Sequence, residues 1–244
     1  MTPLDPRLAA AASLVREGAV TADIGTDHGY LICHLVASGR CPRGFACDIN
    51  PLPLKQAEAH IAEYGLAGRI ETVLTDGLAG LAQREIRDFT VLGMGGDLIG
   101  EIMTGPEWTR DPALHFVLQP MTKAEHLRRR LGETGFAIDR EIAVESGRFV
   151  YTVLSVRYTG ECREPDLRFA WTGLVWYNTD TASRRYLAAV ADRLQKKAAG
   201  LAAGQNREEA APYAALALEI RERMAEQHDH SGSIYEGDAN HRPL

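Results

Sequence analysis

Residues 21–30 read TADIGTDHGY, and the reading of the whole chain turns on them. An apolar run, Ala19–Ile24, leads into D-x-G-x-x-x-G, in which Asp23 and Gly25 close a strand and Gly29 opens a helix. This is the pattern of a ligand-binding turn at the carboxyl end of a central strand, the edge at which open α/β sheets hold their ligands. Its centre departs from the glycine-rich type. Small residues let a backbone approach a phosphate, whereas Asp27 and His28 fill the middle here and a carboxylate repels a phosphate. The stretch predicts a ligand other than a pyrophosphate.

Outward from this turn, short β-rich runs alternate with helical ones as far as about Tyr158, which predicts a parallel sheet covered by helices on both faces. Strands are expected near Ala19–Ile24, Gly44–Asp48, Ile70–Leu74, Thr90–Leu92 and Phe116–Leu118. Helices fit at Tyr30–Ser38, Leu52–Tyr64, briefly after Gly77, at Asp97–Thr104 and at Lys123–Thr134. Only ESGR separates Ala137–Val144 from Phe149–Val156, so this last pair reads as an antiparallel hairpin. Five parallel strands closed by an antiparallel pair predict an α/β fold with a Rossmann-like sheet of methyltransferase type, spanning residues 1–158. Beyond the polar link TGECREPD, Thr181–Ala203 and Arg207–Gln227 carry helical periodicity on either side of GLAAGQN. A helical hairpin is expected over residues 159–228, with a flexible tail at 229–244.

Composition narrows the class. The net charge of −6 gives the molecule as a whole no attraction for polyanions, which leaves that task to local basic surface. Cys33, Cys41, Cys47 and Cys162 form no C-x-x-C pair, so neither zinc nor disulfides are expected. The tail histidines are read as part of a polar end and no metal is assigned. The N-terminal stretch is interrupted by Asp5, Arg7 and Arg16, and no run approaches the roughly eighteen apolar residues of a membrane span. A cytoplasmic protein is expected, with no membrane partner; its oligomeric state is not legible.

Further acids fall at the ends of the next strands. Asp48 ends GFACD about twenty residues after the turn, where a carboxylate accepts from both hydroxyls of a ribose; the competing reading is a helix cap before INPLPL. Asp76, in VLTDGL, is placed to accept from the exocyclic amine of an adenine, or else to form an Asp-Gly turn. Three acids at successive strand ends disfavour a phosphate-rich cofactor and suit an adenosine bearing a positive sulfonium, S-adenosylmethionine. In VLGMGGDLIG, Gly93, Gly95 and Gly96 leave the backbone bare, as close approach of a ligand requires. Gln119, in LQP, adds an amide to the same rim.

Together ADIGTDHGYL, GMGGDLI, LQP followed by LRRRL, and ESGRFVYTVL resemble the bacterial tRNA (adenine-N1)-methyltransferases that modify the adenine at position 22 of tRNA. The resemblance runs from Arg7–Leu8 to about Arg157 and, less specifically, into the helical hairpin. It implies a cofactor pocket of Asp23, Gly25, Gly29, Asp48, Ile49, Asp76, Gly77, Gly93 and Met94, with Asp27, His28 and Tyr30 on the family's distinctive motif. The chain departs from the family in having Ile32 for a proline, Met121 for an asparagine and Asp48 for a glutamate.

The chemistry so implied needs little acid–base help. N1 of adenine carries a lone pair, so positioning dominates, and a carboxylate near the base stabilises the cation that forms. Asp27 is expected in that role, with His28 orienting it or contacting the methionine carboxylate and Gly95 at the junction; alternatively Asp27 and His28 form a structural pair. For tRNA, Tyr30, Gln119 and Arg128, together with Arg184, Arg185, Lys196 and Lys197, are the expected contacts, against the reading of these charges as solvated helix faces. Arg129, Arg130 and Arg193 share those basic runs. Other readings are a methyltransferase acting on another base or a small molecule, an RNA-binding protein with an inactive domain, and, weakest, a nicotinamide dehydrogenase, since G-x-G-x-x-G is lacking.

Overall fold

The computed structural model describes residues 3–204 and 206–232. A seven-stranded sheet has the order β3-β2-β1-β4-β5-β7-β6, built from β1 (Thr21–Ile24), β2 (Gly44–Asp48), β3 (Ile70–Leu74), β4 (Asp88–Gly95), β5 (His115–Thr122), β6 (Phe136–Ser146) and β7 (Phe149–Tyr158). The first five strands are parallel, and β7 runs antiparallel to both β5 and β6. Between β1 and β4 the order reverses direction, which opens a crevice at the carboxyl edge beside TADIGTDHGY.

Alternation along the strands sorts side chains onto two helix layers. Phe116 and Leu118 of β5 and Leu154 and Val156 of β7 pack with α4 (Gly96–Thr104) and α5 (Ala124–Glu133), in a cluster holding Ile99, Met103, Leu127 and Leu131. Val117 and Val153 face the other way, toward α1 (Pro6–Leu14), α2 (Tyr30–Ala37) and α3 (Pro51–Glu63), through Ala11, Leu31, Leu35, Ala57 and Ile61. Helix α1, absent from the sequence reading, starts at Pro6 because Asp5 accepts from the Arg7 and Leu8 backbone N–H groups. Its far end is tied to the sheet by buried Asp88, which accepts from the Arg16 side chain and pairs with His115, itself bonded to Ser155.

The helix expected after Gly77 does not form. Gly77 and Gly80 hold φ of 55° and 71°, outside the right-handed region, and residues 76–84 close as successive turns.

Contacts divide the chain into Met1–Val175 and Trp176–Leu244, so the boundary falls later than the composition change after Tyr158. The reason is also a correction to Arg128, which the sequence assigned to RNA. Arg128 has 0% exposure. Its guanidinium donates to Glu141 Oε1 at 3.1 and 2.7 Å and to the carbonyls of Ala170 and Trp171 at 2.8 and 3.1 Å, where α6 (Leu167–Thr172) ends. The other Glu141 oxygen accepts from Leu174 N–H at 2.9 Å. A cation there satisfies the last carbonyls of a helix, and Gly173, at φ 57°, leaves room for the ion pair.

The second unit consists of α7 (Thr181–Ala203) and α8 (Arg207–Gly232). Tyr186, Leu187, Val190, Ala191, Leu194 and Ala198 recur with helical spacing along one buried stripe of α7, and Ala210, Leu216, Ala217 and Ile220 of α8 are buried too. The stretch expected to be a flexible tail overlaps the end of α8 at 229–232 and otherwise lies outside the described residues. Among the described residues no helix is long and apolar enough to cross a membrane.

Arg128→Ala is expected to lower stability by about 3–5 kcal/mol, because Glu141 would remain buried without its partner. Urea denaturation monitored by circular dichroism measures this.

Candidate active site

Asp23 is the floor of the site. Its carboxylate is buried and accepts from Thr26 Oγ1 at 2.7 Å and from Thr90 Oγ1 at 2.6 Å. Burial raises its pKa above the ordinary carboxylate value, the two hydroxyls oppose that rise, and the charges of Asp48 and Asp27 add to it. The turn itself is hung on β2: the N–H groups of Gly25 and Thr26 both donate to the Cys47 carbonyl, at 2.8 and 3.0 Å. Gly25 has φ 71°, with Met94 Cε where a Cβ would stand. Gly29, at φ 73°, caps α2 and packs against Ala57.

Asp27 sits above this floor. It has φ 50°, one of two non-glycine residues with positive φ among those described, and its side chain is 75% exposed. His28 Nε2 is 3.5 Å from Asp27 Oδ1, an exposed pair that contributes little to holding the turn. The His28 carbonyl is bonded to His60 Nδ1 at 2.8 Å. Tyr30 is half exposed, with its ring centroid 5.5 Å from that of His28 and 4.7 Å from that of His60.

At the ends of β2 and β3, Asp48 and Asp76 complete an acidic edge. Asp48 Oδ1 accepts from Asn50 N–H at 2.8 Å. The helix cap is Asn50, not Asp48, and Asp48 Oδ2 makes no hydrogen bond among the described residues. Ile49 beside it is exposed, as is Asp76. The backbone of Gly77 lies against Ile102.

The glycines after β4 differ in what the fold asks of them. Gly93, at φ 76°, requires its conformation. A Cβ at Gly96 would come within 2.3 Å of the Lys123 carbonyl oxygen. Gly95 has ordinary φ and ψ of −68° and 144°, and a Cβ there would meet only Thr122 Oγ1 at 3.5 Å. Neither backbone conformation nor packing within the protein accounts for it.

Gln119 is corrected as a substrate contact: it is wholly buried, with both ends of its amide engaged. Its Oε1 accepts from Gly93 N–H at 3.2 Å and from Arg7 Nη1 at 3.1 Å, and its Nε2 donates to the Pro120 carbonyl at 2.9 Å. It braces the glycine turn from beneath. Arg7, which the sequence reading did not assign, therefore reaches the rim from α1. Also unassigned is Asp97, which joins Lys123 and His126 at the start of α4; its bond to Lys123, then that to His126, holds its carboxyl below the ordinary value. The signal was present in GGDLI and TKAEH, but their meeting depends on β4 lying beside β5. The nearby thiols are unreactive, burial raising Cys33 to about 11 and Cys47 to about 12.

The remaining expected contacts lie on α7, in the second unit. Arg185, Lys196 and Lys197 are exposed, Arg184 donates to the Thr179 carbonyl, and Lys197 Nζ lies 5.0 Å from the Tyr213 ring centroid.

A parallel sheet closed by an antiparallel seventh strand, with acids rather than cations at its switch point, defines the Rossmann-like methyltransferase class. The chain belongs to the methyltransferase-domain family, whose profile matches residues 4–154. Over 151 residues it is 32% identical to the tRNA (adenine(22)-N(1))-methyltransferase of Bacillus subtilis, a match covering 62% of this chain and 63% of that protein. The chain thus spans less than two thirds of that relative's length. Among solved structures, it is similar to a candidate tRNA (m1A22) methyltransferase of Streptococcus pneumoniae in complex with S-adenosyl-L-methionine, with 26% identity and a TM-score of 0.73, over 88% of this chain and 97% of that one. The B. subtilis M1A22 tRNA methyltransferase shares the fold, with a TM-score of 0.79 at 24% identity, over 90% and 99% of the two chains.

Gly95→Ala is expected to leave stability unchanged or to raise it by up to about 1 kcal/mol, whereas Gly96→Ala lowers it by roughly 1–3 kcal/mol through overpacking. Paired denaturation curves distinguish the two positions.

Proposed function

We propose that the protein is an S-adenosylmethionine-dependent methyltransferase acting on N1 of adenine in tRNA, at position 22, in the cytoplasm. The observation that carries this reading is Gly95, a bare Cα that the fold does not require, at the end of a strand beside an edge of available carboxylates. The relatives described above are named for that activity.

The donor set fits the cofactor. Carboxylates rather than cations follow β1, β2 and β3, which suits ribose hydroxyls and an amine better than phosphates. Asp48, with one oxygen already fixed by Asn50 N–H, would accept from the ribose, exposed Ile49 would cover an adenine face, and Asp76 would accept from the exocyclic amine. Met94, leaning over Gly25, would line the pocket. When bound, S-adenosylmethionine supplies an electrophilic methyl group.

The chain's own task is then to hold a base. A nucleophile with its own lone pair needs no proton removed, so orientation and charge stabilisation are what the residues contribute. Asp27 suits the second role: it is an exposed carboxylate held at positive φ in the turn. His28 and Tyr30 flank it. Phosphate contacts fall to Arg184, Arg185, Lys196 and Lys197, a cationic cluster in a chain of net charge −6.

Incubation of the purified protein with S-adenosylmethionine and unmodified tRNA, followed by nucleoside mass spectrometry, is expected to yield 1-methyladenosine at position 22. Asp48→Ala is expected to weaken cofactor binding by roughly 1.5–3 kcal/mol in calorimetry. Methylation at another base would reject the substrate, and unchanged affinity would reject the ribose role. Replacing the four α7 cations with alanine should raise KM for tRNA and flatten its salt dependence, each lost phosphate contact reducing the slope by up to about one, while cofactor affinity stays the same.

A further inference from the structure

We propose that the tip of the β6–β7 hairpin, with Arg7 and Met121 beside it, is a stacking surface for the unstacked RNA bases that flank the methylated adenine. The inference rests on the RNA substrate proposed above and assigns the partner of a motif, SGRFVY at 146–151, that the cofactor pocket leaves unused.

Sheet topology brings this tip to the working edge. β4 and β5 are parallel and end together, with Gly95 paired to Thr122. Because β7 is antiparallel to β5, it begins where β5 ends. The pair Leu118–Leu154 sets the register, so moving up β5 and back along β7 by equal steps brings Met121 level with Tyr151. Contacts agree: Arg7 Nη1 lies 3.4 Å from Met121 Sδ, and the Arg7 guanidinium is 5.5 Å from the centroid of the Tyr151 ring. Two residues before Tyr151 on the same strand, Phe149 pairs with Ser146 of β6 across the turn.

The surface has the chemistry of a base platform. Phe149 is 52% exposed and Met121 40% exposed, so apolar surface is open at this tip. The Arg148 guanidinium lies 4.9 Å from the Phe149 ring centroid, and the Phe149 and Tyr151 centroids are 6.1 Å apart. Aromatic faces interleaved with guanidinium groups take successive bases of single-stranded nucleic acid and neutralise the phosphates between them. The proposed reaction gives such a place a use. N1 lies on the Watson–Crick edge, so the target adenine must leave its pair and stack, and its neighbours lose a stacking partner when it does. A surface next to Gly95 that restacks those neighbours lowers the penalty for exposing N1.

The test compares wild type, Phe149→Ala and Phe149→Trp in steady-state methylation of tRNA, with two further tRNAs carrying an abasic nucleotide immediately 5′ or 3′ of the target adenine. Phe149→Ala is expected to raise KM for intact tRNA about tenfold with kcat within twofold, cofactor affinity by calorimetry unchanged, and Phe149→Trp to restore KM. One of the abasic tRNAs should show a similar rise with wild type and no additional rise with Phe149→Ala, because both changes remove the same stack. If wild type methylates tRNA and Phe149→Ala has KM within twofold of it, the proposal is overturned while the enzymatic reading stands; a protein partner for this tip gives that result. If wild type does not methylate tRNA, the enzymatic reading fails and the proposal with it.

Discussion

A single buried carboxylate holds the working edge of the sheet together. Asp23 is the third residue of β1, and its two oxygens accept hydrogen bonds from the hydroxyls of Thr26 in the following turn and Thr90 in the neighbouring strand. Strand, turn and the far side of the switch point are thereby tied through one group. Burial opposes its ionisation, and the nearby charges of Asp48 and Asp27 oppose it further. The arrangement is therefore one in which the fold accepts an electrostatic penalty at the site where acids must converge, with two short hydroxyl bonds offsetting part of it.

From that anchor the turn's remaining features follow. Gly25 and Thr26 spend their N–H groups on β2, and the Gly29 N–H closes onto the Thr26 carbonyl, a four-residue turn in which Asp27 holds positive φ. Asp27 tolerates that conformation better than a branched residue would, and the result is a carboxylate held out from the loop. A second brace acts on the β4 side of the crevice, where buried Gln119 of β5 links Gly93 on β4 to Arg7 on α1. The edge thus rests on strand ends supported from below, which gives a site more definition than a loop by itself.

Charge serves two different purposes in this chain. Arg128 belongs to a basic run on α5 that reads, residue by residue, like the basic run on α7, yet it is wholly buried against Glu141 and the end of α6. Arg185, Lys196 and Lys197 on α7 are exposed. Lone cations are seldom buried without a partner, and the partner here is thirteen residues further along the chain, on another element.

The sequence by itself determined the elements and the edge. Short β-rich runs located β2 and β3 to the residue, and helical spacing located α7 over Thr181–Ala203, because such runs and a period of 3.6 are local properties of the chain. Strand ends then dictated that Asp23, Asp48 and Asp76 would share one rim. What the tertiary structure decided was partnership. Gln119 and Arg128 are polar residues at plausible places, and only packing reveals that their donors and acceptors are already used. Only the folded chain separates Gly95 from Gly93 and Gly96, since the distinction lies in the positive φ at Gly93 and in what a missing Cβ would touch at Gly96. The contacts of Arg7 with Gln119, Met121 and Tyr151 likewise depend on how elements distant in sequence lie side by side. Periodicity is written into consecutive residues; the identity of a neighbour across the sheet is set by the cooperative choice of one topology.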